Sequence, residues 1–522
     1  MGAVQVPGRS AIVIAGIQES GSMEVTSNAK RKPRVLICTP EITELPEGMG
    51  NAAQYIRAKG GGLGDISAGL IQHLHTDARF ELHVVVPRYD AKIRDLARIT
   101  YREIDALGRV LGRQGVHLVT DSAFSSLTDV YGEQESNPRI RRAEAFQRYI
   151  INDLLLRLEP DVVHCNDWMT GLVPAAARAA GIKSLFTIHN VFTEHAPQSD
   201  IDRSGIDVRR ISEFLYFKDY PSDTAENWRL NGVDFTATGI HAADIVNTVS
   251  PTFLSEMVSG EFDDIVPPGV ARAMREKHAA GRTLGILNAP GDSDDPRITP
   301  HIIPYDIDDV IEGKRANKER FQKEMGLKAE PDAPLFLWPS RLYAQKGPEL
   351  LAAIAALCVR RHGMQIALVA SGDRAVEAVF RKLAATSDGR IAHRPFREDL
   401  GMRALAGSDF VLMPSLYEPC GLPQMVGPRF GTLAVARLTG GLKDTVAELD
   451  ALRTTGNGFV FAPHTSAALA GAIAEAVRFY RESEAVRRST LQRVMTESLE
   501  RFSLANTARA YIDVYEKLIA EG

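Results

Sequence analysis

Residues 409–424 read DFVLMPSLYEPCGLPQ. The run Asp409-Phe410-Val411-Leu412-Met413-Pro414 is almost continuously apolar, the pattern of a parallel strand buried on both faces. Glu418 falls just past the carboxyl end of that strand, where a helix is about to begin. In open α/β sheets that is where ligands bind. One strand later, Thr432-Leu433-Ala434-Val435-Ala436-Arg437 leads into Leu438-Thr439-Gly440-Gly441-Leu442. A bare backbone after a strand suits an anion. The ligand therefore calls for a carboxylate and a glycine turn on neighbouring strand ends.

Runs of the same kind alternate with helix-like segments along most of the chain, as in sheets assembled from βαβ units. They fall at 34–38, 82–87, 161–164, 184–188 and 244–249 in the first half, and at 335–338, 366–371, 409–413, 432–436 and 458–461 in the second. The two series predict an α/β protein with two Rossmann-like, doubly wound domains, residues 33–305 and 306–502. Residues 288–312, NAPGDSDDPRITPHIIPYDIDDVIE, are dense in proline and aspartate and read as a loop and hinge. Residues 1–32 read as a disordered tail. Residues 503–522 read as a C-terminal helix, amphipathic enough to dock on either domain.

Bulk composition agrees with this division. At 522 residues the chain is too long for one core, given about 150 residues per domain. A formal net charge of −5 gives no footprint for nucleic acid or an anionic membrane. The partner is then small or neutral. Four cysteines without a C-x-x-C pair fit a reducing cytoplasm. No stretch approaches the ~20 apolar residues of a membrane span. Residues 11–17, AIVIAGI, resemble a minimal signal-peptide core, but no clear cleavage site follows and Glu19 and Glu24 come soon after. A cytoplasmic location is expected.

Several loops carry candidate chemistry. Lys59-Gly60-Gly61-Gly62-Leu63-Gly64-Asp65 precedes a helix expected to begin near Ile66, and its open N–H groups could take a phosphate or sugar hydroxyls. Its spacing is not G-x-G-x-x-G, so a dinucleotide fingerprint is absent. Such a turn is as readily structural as functional. Ser340-Arg341-Leu342-Tyr343-Ala344-Gln345-Lys346-Gly347 follows a strand and precedes a helix. Arg341 can fork onto a diphosphate while Lys346 adds a point charge. Alone, the two would be read as solvated surface cations, but Glu418 and Thr439-Gly440-Gly441 point to the same end of the same sheet. Asp167 and His189 stand at successive strand ends in HCNDW and TIHN; the bland alternatives are a helix cap and a structural histidine. Walker A, H-E-x-x-H and G-x-S-x-G patterns are missing. The Asp-x-Asp pairs at 200/202, 292/294 and 306/308 lie in polar loops, so neither a metal site nor a cofactor is expected.

In order, K-G-G-G-L-G-D, H-C-N-D-W, F-T-I-H-N, N-T-V-S-P-T, G-I-L-N, G-K-R-A-N-K, S-R-L-Y-A-Q-K-G, Y-E-P-C-G-L-P-Q and T-G-G-L-K-D-T make the chain resemble the glycogen and starch synthases from about Arg34 onward. These are retaining glucosyltransferases of GT-B architecture, with two Rossmann-like domains facing across a cleft. The resemblance implies a nucleotide-glucose donor, ADP-glucose first, and an α-1,4-glucan acceptor. By the same match Glu418 holds hydroxyls of the donor glucose, while Arg341 and Lys346 neutralise the diphosphate. Thr439, Gly440 and Gly441 form the backbone loop at the donor sugar and phosphates, and Lys59, Gly61 and Gly62 belong to the first-domain K-x-G-G-L signature. Asp167 and His189 line the donor sugar from the opposite wall. Phe396 stands where the family usually has a tyrosine against the base, and can stack on adenine.

The chain departs from the family pattern around the sugar and acceptor. The segment between Thr39 and Lys59 is longer than usual, Met169 replaces a histidine, and Pro423 and Val426 replace the usual threonine or cysteine and tyrosine. N-A-P-G-D stands for N-G-V-D. Two other readings stay open: a relative using another donor or a small acceptor, and a glucan-binding protein without turnover. Oligomeric state is not legible.

Overall fold

The computed structural model describes residues 31–46, 49, 58, 61–77, 79–97, 100–127, 130–131, 138–219 and 223–522. The tail read at 1–32 lies outside these apart from its last two residues. Lys59 and most of the long segment before it lie outside as well.

The chain divides into two compact units. The first comprises residues up to Thr248, then Met257–Leu284 and Ala508–Gly522; the second comprises Val249–Glu256 and Gly285–Thr507. Residues 285–305 therefore pack with the second unit, and the division falls earlier than the boundary at 305 read from the sequence.

In the first unit, β1 (Arg34–Cys38), β2 (Glu81–Pro87), β3 (Val116–Val119), β4 (Val162–Asn166) and β5 (Lys183–Ile188) are followed by a short antiparallel pair, β6 (His195–Pro197) and β7 (Gly232–Asp234). Then come β8 (Ile245–Thr248) and β9 (Thr283–Gly285). The main sheet has the order β3-β2-β1-β4-β5-β8-β9, and the pairs from β3 to β8 are parallel. With the small pair set aside, this is the doubly wound 3-2-1-4-5-6 order extended by one further strand, β9, and its switch point lies between β1 and β4.

The second unit repeats the plan. Strands β10 (Leu335–Trp338), β11 (Gln365–Val369), β12 (Ile391–Arg394), β13 (Phe410–Met413), β14 (Leu433–Arg437) and β15 (Gly458–Phe461) form a wholly parallel sheet ordered β12-β11-β10-β13-β14-β15. Its switch point lies between β10 and β13. Every residue of β10, β11 and β13 is buried, which is why these strands read as unbroken apolar runs.

The segment 286–309 contains no helix or strand, and the next helix, Val310–Met325, starts just before its expected end. Its Asp-rich part is held from behind. Buried Arg429 donates to the carbonyl of Gly291 at 2.6 Å and to that of Phe502. The final helix, Leu504–Ala520, docks on the first unit from Ala508 onward. There Tyr515 Oη meets His164 Nδ1 at 2.8 Å, and Asn247 donates to Tyr511 Oη at 3.2 Å. All four cysteines are free and buried. Among the described residues no helix is long and apolar enough to cross a membrane.

Candidate active site

In the second unit the polar groups gather at the carboxyl ends of the strands flanking the switch point. After β10 the chain forms a single turn, Ala344–Lys346, and Gly347 follows with φ +71°. A Cβ on Gly347 would sit 2.4 Å from the carbonyl oxygen of Pro414, so only glycine lets the β10 loop close onto the end of β13. The amide of Leu416 also donates to the carbonyl of Gln345 at 2.8 Å. This contact delivers Lys346 Nζ to both oxygens of Glu418, at 2.9 and 2.7 Å. Ser415 Oγ adds a third donor at 2.8 Å. Glu418 is 4% exposed. Three of the roughly four lone-pair positions of its carboxylate are filled, which leaves room for one further donor.

The β14 loop packs directly against Glu418. Gly440 has φ +45°, and a Cβ there would lie 1.9 Å from the Glu418 carbonyl oxygen; one on Gly441 would lie 2.2 Å from that of Cys420. The glycine pair is thus demanded by close backbone approach. Its amides are also already engaged, because Gly440 N–H donates to Glu256 Oε2 at 2.8 Å and Gly441 N–H to the Glu418 carbonyl at 2.9 Å. The bare backbone read from the sequence faces an acceptor of the protein's own.

Arg341 is exposed, stacks 5.7 Å from the Tyr343 ring centroid and has no ion pair among the described residues. Phe396 follows β12, 51% exposed, with its amide donating to Ser371 Oγ at 3.0 Å. It is not a core residue.

The first unit places its own cluster around the β1/β4 switch point. The glycine-rich helix begins at Gly62, four residues before the position expected from the sequence. Gly61 N–H donates at 2.6 Å to Glu41, a buried carboxylate just after β1 that also accepts from Tyr131 Oη at 2.8 Å. Here too an internal carboxylate occupies the glycine turn. Asp167, after β4, has φ +57°, an uncommon conformation for a non-glycine residue. It accepts the amide of His189 at 2.7 Å and that of Asn190 at 3.4 Å. Burial raises its pKa to about 7, with the charge of Glu41 adding and the two amides opposing. Burial lowers His189 to about 3. Asn166 donates its amide to the Cys38 carbonyl, so its Oδ1 faces His189 Nε2 at 2.9 Å. His189 is accordingly neutral and protonated on Nε2, with Nδ1 as its acceptor.

Sequence reading missed Glu41, Ser415 and Glu256. Ser415 stands inside the stretch quoted first, and Glu41 is a carboxylate just past a strand end, the signal that singled out Glu418. Among the described residues no group of three or more His, Cys, Asp or Glu is placed to hold a metal ion.

Two doubly wound sheets with polar groups at the carboxyl ends of their strands fit a two-domain α/β ligand-binding protein, and the comparisons give its class, a glycosyltransferase of GT-B architecture. The model for the starch synthase catalytic domain matches residues 34–266, and that for glycosyl transferases group 1 matches residues 319–490. The chain is 31% identical over 480 residues to a glycogen synthase of Geobacillus thermodenitrificans (strain NG80-2), covering 88% of this chain and 95% of the relative. It is 33% identical over 496 residues to a glycogen synthase of Anaeromyxobacter sp. (strain Fw109-5), covering 89% and 97%. A solved catalytic domain of starch synthase IV from Arabidopsis thaliana, bound to ADP and acarbose, superposes with a TM-score of 0.74 at 25% identity, covering 94% of this chain and all of that one. The chain belongs to the glycogen and starch synthase family of retaining glycosyltransferases.

Proposed function

We propose that this chain transfers glucose from ADP-glucose to the non-reducing 4-hydroxyl of an α-1,4-glucan with retention. The observation that carries the reading is the Lys346–Glu418 pair, one residue on each side of the switch point. An ammonium and a carboxylate there match the two halves of a nucleotide-sugar, with the cation toward the diphosphate and the carboxylate toward sugar hydroxyls. Arg341, without a carboxylate partner among the described residues, supplies the second positive charge.

In this scheme Lys346 and Arg341 stabilise the charge that grows on the leaving diphosphate, and Glu418 orients the glucose through its remaining lone pair. Neutral His189 accepts a sugar hydroxyl at Nδ1, and Asp167 holds the loop that carries His189. Thr439, Gly440 and Gly441 fix the position of Glu418, and Phe396 offers an aromatic face to the base. The glycine-rich turn with Lys59, Gly61 and Gly62 serves the first unit's side of the reaction. No carboxylate nucleophile is required on a front-face path, in which the leaving phosphate accepts the acceptor's proton. A cytoplasmic location fits four cysteines without a C-x-x-C pair.

The test is a screen of ADP-, UDP- and GDP-glucose against glycogen, maltose and glucose 1-phosphate, reading nucleotide release. Release that requires ADP-glucose and glycogen together supports the proposal. Turnover only with a small acceptor or another donor favours a same-fold relative, and glycogen binding without turnover favours a binding protein.

A further inference from the structure

The motif N-T-V-S-P-T at 247–252 has no part in the chemistry above, yet its second half enters the second unit. Segment Val249–Glu256 belongs to that unit, while the residues on either side of it belong to the first. Three of its side chains reach the loops around Glu418. Ser250 Oγ donates to the Pro419 carbonyl at 2.7 Å, Thr252 Oγ1 donates to Asp444 Oδ1 at 2.6 Å, and Glu256 Oε2 accepts from Gly440 N–H at 2.8 Å. Glu256 also faces Thr439 Oγ1 at 3.5 Å.

We infer that Glu256 is a positioning residue for the donor loop. Gly440 is buried, so its N–H needs a protein acceptor, and Glu256 supplies it. Gly440 is held in a left-handed conformation directly against the Glu418 carbonyl, and the next amide, Gly441 N–H, bonds that same carbonyl. A carboxylate that fixes Gly440 therefore fixes the backbone of Glu418. Glu256 touches no substrate in this scheme; it acts through Gly440 on the residue that does. Ser250 holds the same loop one residue further on, at Pro419. The inference rests on the donor-site reading given above.

The test uses the full chain and ADP binding by calorimetry, alongside separate KM values for ADP-glucose and glycogen. Glu256→Gln keeps an acceptor oxygen and should bind ADP within about threefold of the parent. Glu256→Ala leaves the buried Gly440 N–H without a partner and should weaken ADP and raise the donor KM by about tenfold, with the glycogen KM unchanged. Where the alanine variant does not fold, Glu256→Asp, which keeps the charge but withdraws the acceptor, should show the same donor-only loss. Parental ADP affinity in a folded Glu256→Ala or Glu256→Asp variant overturns the inference alone, as does an equal rise in both KM values. A parent chain that binds neither ADP nor UDP overturns the donor reading and this inference with it.

Discussion

Lys346 Nζ bonds both carboxylate oxygens of Glu418, a residue 72 positions further along the chain, because Gly347 lets the β10 loop close on the end of β13. The pair is largely buried, with side-chain exposures of 17% and 5%. Removing one partner of such a pair leaves the other charge without compensation, so stability and catalysis are lost together. Lys346→Ala should lower the melting temperature and cut kcat by about 10²–10³, the range for one lost preorganised donor. Kinetics must be normalised to folded protein. A raised KM with kcat nearly unchanged would remove Lys346 from the catalytic groups.

Activity should also survive EDTA. In the proposed scheme Arg341 and Lys346 take the place of a divalent ion at the diphosphate. Two of the Asp-x-Asp loops hold their own backbone: Asp294 accepts the Gly291 amide at 3.0 Å and Asp306 accepts the Asp308 amide at 2.8 Å. Loss of activity on chelation, restored by Mg²⁺ or Mn²⁺, would assign those loops a metal.

The central strands were legible because strands buried on both faces must be continuously apolar, as β10 and β13 are. Strands β3 and β12 were not, because a polar residue interrupts each short apolar run: buried His117 in β3 and exposed Arg394 in β12. At the site, Glu418 and Lys346 could be found because each follows a strand in sequence. Glu41 and Glu256 could not be linked to glycine turns 20 and 184 residues away, since that pairing is made by folding alone. The pair Gly440-Gly441 reads as an anion seat in sequence, yet in the structure both positions lie against another backbone, too close for a Cβ.

The pH dependence should isolate Asp167. Its pKa is raised to about 7, chiefly by burial, whereas His189, lowered to about 3, stays neutral above pH 5. If ionised Asp167 is the form that grips the His189 and Asn190 amides, kcat/KM should rise with pH through about 7. Asp167→Asn should lose that limb. The stability linkage has the opposite sense: a carboxyl whose folded pKa lies above its unfolded value contributes stability below pH ~4, and that contribution is lost as pH rises through about 7. Asp167→Asn should therefore gain in melting temperature relative to the parent as pH rises from 4 to 7. A parent limb near 7 that persists in the variant would assign it to another group.

Phe396 tests the base pocket. Half of its surface is open and its amide is anchored on Ser371, so the ring is presented rather than packed. A bare aromatic face offers stacking but no hydroxyl for a polar contact, and discrimination between bases then follows stacking area. Base–aromatic stacking is worth roughly 1–3 kcal/mol on alanine substitution in nucleic-acid binders. Phe396→Ala should raise the KM for ADP-glucose by about one to two powers of ten and cost UDP-glucose, with its smaller ring, less. Phe396→Tyr keeps the face and should stay near the parent. Because the residue is exposed, none of these changes should move the melting temperature by more than about 2 °C. Equal losses for the two donors, or no loss for either, would place the base elsewhere than against Phe396.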